Sequence, residues 1–476
     1  MILRSNDPNF YVDITSDSPE VTGSCIHLSV HYPDNTSTNF VVDCGFFQEQ
    51  KYDDLNYKLS FDPTEVDFLL VTHAHVDHIG RIPYIMDNGF AGPIYCSKDT
   101  ETLMPISLAD NCRIIRHNAK KRNTPVLYGP ENVGKVKDLI HGVDYEKTIQ
   151  VTDHIKVTFY KNGHIIGAAT IFVEITFPNC KPWFFIFSGD FNNSNPFFEV
   201  PPLPKKLYDL PVFIFIESTY GYMDSSEVSR CFDNNVCDFF YEYPNGSLVI
   251  PCFSLRFQEV LLKIRKMQEY GLLNPHIPVY LDGKLGIQYT DLFINKTITS
   301  IDEDKYGFMP SRVKNVTKEI RSNRYVSSKA QIIITSSGTA SYGPAQTYLQ
   351  NMLPRKDVLF HFTGYSPEGT LSRKLKDAPE DSFVQVGGIL VKKTAEIKFT
   401  NEFSAHAKRN ELVNFLRPFK NIQAVFPTHG AEESKLLIGK EALLHTSARY
   451  VGILSDKVCF RVNSDGLVSS TDKMSI

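Results

Sequence analysis

The segment VDFLLVTHAHVDHIG sets His73, His75, Asp77 and His78 immediately behind an apolar run from Val66 to Thr72. Imidazole and carboxylate are the ligand types that a borderline ion such as zinc prefers. In extended backbone, residues two apart project the same way, so His73 and His75 can share one ion. Asp77 and His78 fall where a helix begins and turn toward a second ion. The ordinary alternative is a polar loop that happens to hold histidines. Three histidines and an aspartate packed behind a buried strand seldom occur without metal. Further ligands are expected at the ends of later strands, beside glycines that allow close approach. His164 follows KVTFYKNG, Asp190 follows PWFFIFSG, and His429 follows IQAVFPT.

The elements that must position these groups are legible as short runs. CIHLSVHY, NFVVDCG, VDFLLVTH, KVTFYKNG, ATIFVEITF and PWFFIFSGD are rich in β-branched and aromatic residues and are bounded by turn residues. Helical periodicity is expected near 79–88, 99–117 and 130–140. A proline-rich seam, NNSNPFFEVPPLPKKLYDLP, then interrupts the chain. Beyond it LPVFIFIEST, GSLVIPCF, IPVYLDG, AQIIITSSG and DVLFHFTGY alternate with amphipathic helices, as in a doubly wound parallel sheet.

HAHVDH, together with Asp43 in VVDCG, His164, Asp190 and His429, resembles the metallo-β-lactamase family. IESTYG at Glu217, FSAHA at His406 and PTHG at His429 resemble the three additional motifs of the β-CASP nucleases. IPCFSLRFQEVL, ITSSGTASYGPA and FTGYSPEGTLSRKL extend that likeness. The resemblance spans roughly residues 20–435 and is most similar to prokaryotic relatives of the RNA 3′-end processing endonuclease.

It implies an α/β chain: an αββα metallo-β-lactamase sandwich (1–209 and 396–476) holding an inserted, doubly wound parallel-sheet β-CASP domain (210–395). It also implies two Zn2+ per chain, with Mn2+ as an alternative ion. His73, His75 and His164 would hold one ion. Asp77, His78 and His429 would hold the other, with Asp190 bridging and Asp43 orienting a ligand from behind. His406 would sit beside the leaving group and Glu217 would orient it, so that Asp77, Asp190, His406 and Glu217 carry the reaction.

That assignment agrees with what phosphodiester hydrolysis requires. Two zinc ions ~3.5–4 Å apart activate water and neutralise phosphoryl oxygens. A histidine with a near-neutral pKa protonates the leaving alkoxide. The resemblance favours RNA over DNA, because a histidine at the last motif accompanies RNA substrates. A zinc-dependent ribonuclease, endonucleolytic with 5′-exonuclease action as a further mode, is therefore expected. A hydrolase of DNA or of a small ester or thioester, and a non-catalytic scaffold, are the competing readings. Asp190-Phe191-Asn192-Asn193, Thr428-His429-Gly430-Ala431 and Thr339 depart from the family pattern and bear on substrate preference.

Single-stranded RNA would be held by Ser336, Ser337, Gly338 and Gly364, in turns that expose backbone N–H groups to anions, and by Tyr365 stacking on bases. Two basic runs, Lys120 to Arg122 and Arg312 to Arg324, are weighed as phosphate contacts against plain solvated faces. The net charge of −4 excludes a wholly basic nucleic-acid binder but not a local basic groove. Nine scattered cysteines without a C-x-x-C pair point to a reducing, cytoplasmic setting. No apolar run of membrane-spanning length occurs, so no membrane association is expected. Added surface would come from a partner or from homodimerisation.

Overall fold

A computed structural model describes residues 9–224, 231–364, 366, 368–463 and 468–472. The chain divides into two compact units, Met1–Ser225 with Ala405–Ile476, and Ser226–Ser404.

Two sheets form the first unit. One has eight strands, in the order Val468–Asp472, Val458–Asn463, Tyr11–Ser16, Ile26–His31, Ser37–Val42, Phe68–Leu70, Ile94–Ser97 and Ile140–Val143. The other has six, running Ile422–Thr428, Val212–Glu217, Trp183–Phe187, Ala169–Ile175, Ile155–Lys161 and Thr148–Gln150. Side chains alternate across each strand, and in Trp183–Phe187 both faces are buried. Trp183, Phe185 and Phe187 enter the core between the sheets with Val12, Leu28, Phe40 and Phe426. Phe184 and Ile186 enter a second core with Leu412, Leu416 and Ile438 of the helices Arg409–Leu416 and Glu432–His445. Each such ring contributes ~1.5–3 kcal/mol by burial. This double covering explains why WFFIF shows no polar alternation. The 25-residue helix Lys98–Arg122 follows directly from Ile94–Ser97. The arrangement is the expected αββα sandwich.

The second unit carries a six-stranded sheet ordered Val313–Asn315, Val279–Asp282, Gln331–Thr335, Ser247–Pro251, Val358–Phe362, Glu396–Phe399. Every pairing in it is parallel, as the alternation of strand and helix requires.

The seams differ from those expected at 210 and 395. Val212–Glu217 pairs with Trp183–Phe187 and Ile422–Thr428 in the first unit, and Glu396–Phe399 pairs with Val358–Phe362 in the second. A strand covered on both faces reads as the same unbroken apolar run whichever sheet it joins, so its pattern does not reveal the partner. Glu217 and His406 therefore both belong to the first unit, together with every expected metal ligand.

Candidate metal centre

The buried strand Phe68–Leu70 leads directly to Thr72 and His73. His75 then starts the short helix Val76–Ile79, which carries Asp77 and His78. A helix this short cannot satisfy its own carbonyls. Phe46 N, Ser24 N and Cys44 N donate to the carbonyls of Val76, Asp77 and His78, at 3.0, 2.9 and 2.7 Å. Gly45 makes that approach possible, because a Cβ there would lie 1.6 Å from the Asp77 carbonyl oxygen. Arg81 is fully buried and pins the same loop, its Nε donating to Gly45 O at 2.6 Å and its guanidinium pairing with Asp17 at 3.2 Å.

Asp43 organises the ligands from behind. It sits in left-handed backbone (φ 60°) at the end of Ser37–Val42. Its carboxylate accepts from Thr72 N at 2.8 Å, from Thr72 Oγ1 at 2.7 Å and from His78 Nδ1 at 2.7 Å. With its proton committed to Asp43, Thr72 Oγ1 accepts from His73 Nδ1 at 3.1 Å. His164 Nδ1 donates to Ala405 O at 3.2 Å. Thr219 Oγ1 donates to His429 O at 3.0 Å and accepts from His429 Nδ1 at 2.9 Å. In all four histidines a hydrogen bond at Nδ1 fixes the tautomer and leaves the Nε2 lone pair for an ion.

The ligand atoms converge as two groups. His73 Nε2 and His164 Nε2 lie 3.1 and 3.0 Å from His75 Nδ1, and 3.6 and 3.4 Å from Asp190 Oδ2. Four ligands ~2.0–2.1 Å from a tetrahedral zinc stand ~3.3 Å apart, so the spacing matches. In the second group His78 Nε2 lies 3.3 Å from Asp190 Oδ1, and His429 Nε2 lies 3.5 Å from Asp77 Oδ2. Asp190 thus turns one carboxylate oxygen to each group. His78 Nε2, His429 Nε2 and Asp190 Oδ1 are buried and make no hydrogen bond. Buried polar atoms are rarely left so, and a divalent ion among them would satisfy all three.

Electrostatics favour the same reading. Burial, then the neighbouring His78 and His164, hold His73 well below the usual imidazole range, as a neutral ligand. Burial also opposes charge on His78, but the carboxylates of Asp190 and Asp43 outweigh it and raise its pKa well above normal. Burial raises Asp77, yet the close His429 imidazole and the charges of His78 and His75 bring it down to about 2. Asp190 is likewise kept ionised against burial by His429, His78, His406 and His164. Ionised carboxylates facing a cluster of histidines mark a place where positive charge is stabilised.

His406 stands at the edge of this cluster, its Nδ1 donating to Glu217 Oε2 at 2.8 Å and lying 3.9 Å from Asp190 Oδ2. Glu217 is fully buried, and its other oxygen accepts from Phe191 N. The His406 side chain retains 20% exposure, enough to meet a substrate.

Three positioning residues escaped the sequence reading: Thr72, Thr219 and Asn162. Asn162 Nδ2 donates to both Ser188 O and Asp190 O at 3.0 Å, while its Oδ1 accepts from His164 N at 3.0 Å. It ties the His164 loop to the Asp190 loop. The available signal was an amide beside Gly163 between two apolar runs.

The expected substrate residues lie in the second unit. Ser336, Ser337 and Gly338 follow Gln331–Thr335, and Gly364 follows Val358–Phe362, at the carboxyl ends of parallel strands where doubly wound sheets bind ligands. Ser337 is buried, and its hydroxyl donates to Tyr342 O at 3.4 Å. Tyr365 lies outside the described residues. Of the second basic run, Arg321 forms a two-pronged pair with Asp282 at 2.6 and 2.8 Å, and Arg324 stacks 4.2 Å over Tyr280. Both are committed to the fold.

Three family models match the chain in succession. The metallo-beta-lactamase superfamily model covers residues 30–211, the Beta-Casp domain covers 257–375, and the Zn-dependent metallo-hydrolase RNA specificity domain covers 391–440. The chain thus carries a metallo-beta-lactamase superfamily domain followed by a Beta-Casp domain. Among curated relatives of this β-CASP group, the transcription termination factor FttA of Methanococcus maripaludis is 28% identical over 88% of this chain and 66% of its own length. A ribonuclease of Thermus thermophilus is 27% identical over 88% of this chain and 93% of its own. An RNase J-like protein of Methanocaldococcus jannaschii is 28% identical over 83% and 88%. This β-CASP chain thus spans about two thirds of the FttA relative and most of the other two. The fold implies a divalent metal, and the ligand cluster fits one.

Proposed function

We propose that the chain is a zinc-dependent ribonuclease that hydrolyses single-stranded RNA in RNA processing or decay. One observation carries the reading: Asp190 offers an oxygen to each of two ligand groups, and His406, held by Glu217, stands beside them. An ester or thioester hydrolase has no need of the His406–Glu217 pair. The filled ligand positions weigh against a scaffold that has lost its site. The relatives named as a ribonuclease and as RNase J-like support RNA as the substrate class.

In this reading His73, His75, His164 and Asp190 hold one ion, and Asp77, His78, His429 and Asp190 the other. Zinc suits the imidazole-rich set, and manganese is the alternative. Two such ions, when bound, would supply an activated water and neutralise charge on the phosphoryl oxygens. The chain supplies the remaining step. Glu217 accepts a hydrogen bond from Nδ1–H of His406 and stabilises the imidazolium, so that Nε2 delivers its proton to the leaving oxygen. The P–O bond to that oxygen breaks as the proton arrives. Nine cysteines scattered along the chain without a C-x-x-C pair suit a reducing cytoplasm. No helix among the described residues is long and apolar enough to cross a membrane.

Zinc-loaded protein incubated with end-labelled RNA and DNA of equal sequence tests the assignment. RNA should be cut and DNA left essentially intact. Internal fragments would mark endonuclease action, and released 5′ nucleotides an exonuclease. Intact RNA beside cleaved DNA, or neither cut while a thioester is hydrolysed, would overturn the reading.

A further inference from the structure

A cavity of about 730 Å³ opens on the first unit between the helix Lys98–Arg122 and the helix Pro130–Leu139. Cys112, Ala119 and Val133 contribute its apolar lining, and Arg113, Arg116 and Lys120 line it with charge. No carboxylate lines it, although the chain as a whole carries a net charge of −4. Asp110 engages Arg113 at 2.7 Å. Arg116 and Lys120 are exposed and make no ion pair among the described residues. The three cations follow the i, i+3, i+7 spacing of one helix face, so they rise ~4.5 and ~6 Å apart along the axis. A row of cations at that pitch over an apolar floor complements a polyanionic strand whose bases are unpaired.

The helix is anchored beside the metal centre. Ser97 Oγ and Thr100 Oγ1 donate to Gly167 O at 2.6 and 2.8 Å, in the loop that carries His164. Arg116 and Lys120 then lie ~24–30 Å further along the helix at ~1.5 Å per residue. An RNA of a few nucleotides seated at the metal centre does not reach them, whereas a longer one does.

We propose that this groove is an RNA-holding site, separate from the metal centre, that binds the backbone of long single-stranded substrates through Arg116 and Lys120. The proposal rests on the ribonuclease reading for its substrate. It predicts a length-dependent effect. In the zinc-loaded R116Q/K120Q variant, kcat/KM for an RNA of about 25 nucleotides should fall about tenfold. Two lost phosphate contacts, each worth a slope of ~0.7 on a single strand, should make log kcat/KM about 1.4 less steep against log salt. An RNA of about 4 nucleotides, too short to span ~24 Å of helix, should be cut as by the wild type.

Equal losses on both lengths, or an unchanged salt slope on the long RNA, would overturn the site. So would a variant that handles both RNAs normally but loses an acidic protein partner. If the wild type cuts neither RNA, the ribonuclease reading fails by itself. The salt slope of long-RNA binding, followed by fluorescence anisotropy, then decides the groove alone: a slope about 1.4 less steep in the variant supports it, and an equal slope removes it.

Discussion

His406→Ala should leave the ion content of the protein unchanged while slowing RNA cleavage about 10²–10⁴-fold, the range that positioned acid–base catalysis contributes. The structure makes these two readouts separable. His406 makes its Nδ1 bond to Glu217 and lies 3.9 Å from Asp190. The two ligand groups are complete without it. The loss should fall on kcat more than on KM, because the proton is needed at the leaving oxygen in the transition state. Glu217→Gln should follow in the same direction with a smaller loss. The amide still engages Nδ1 but no longer stabilises the imidazolium. Atomic absorption together with single-turnover cleavage checks the pair. A His406→Ala protein that has lost metal, or that turns over normally, would move His406 out of the proton-transfer role.

Asp190→Asn should abolish cleavage more completely, by over about 10³-fold, and lower the ions bound from two to at most one, if this carboxylate serves both ions as proposed. Its oxygens lie 3.3–3.6 Å from His73, His78 and His164, and Oδ1 is buried without a hydrogen bond. The amide has nearly the same shape but lacks the charge. Thermal unfolding gives a second readout by linkage. At an ion concentration a hundredfold above its Kd, binding adds about 2.7 kcal/mol to native stability, and a hundredfold weaker site retains about 0.4 kcal/mol. The zinc-induced rise in Tm should therefore largely vanish in the variant. A variant that keeps the full rise and both ions would show that Asp190 does not bridge.

The candidate ligand set, which the structure brings together, was legible in the sequence because its residue types are rare in combination and follow strands that announce themselves. His73, His75, Asp77 and His78 are contiguous, and His164, Asp190 and His429 each terminate an apolar run that the structure makes a buried strand. The hydroxyls and amide that orient them were not. Thr72, Thr219 and Asn162 are common residues whose role exists only once three loops meet. Arg81 illustrates the same limit, for a charged side chain reads as surface, yet it is buried in carbonyl oxygens and Asp17. The seams shifted for another reason. VFIFIE is equally apolar on both faces, so nothing in it told whether Glu217 ends a strand of the sandwich or of the inserted sheet. Placed in the sandwich, Glu217 and His406 are parts of the metal centre's own unit.

The central claim is that one cluster holds two ions and that both are needed to cut RNA. Zinc titration of the metal-free protein, with bound metal and RNA cleavage measured at each point, tests it most directly. Two equivalents should bind per chain, and cleavage should rise with the second. Saturation at one equivalent with full activity, or two bound ions with intact RNA, would contradict the account.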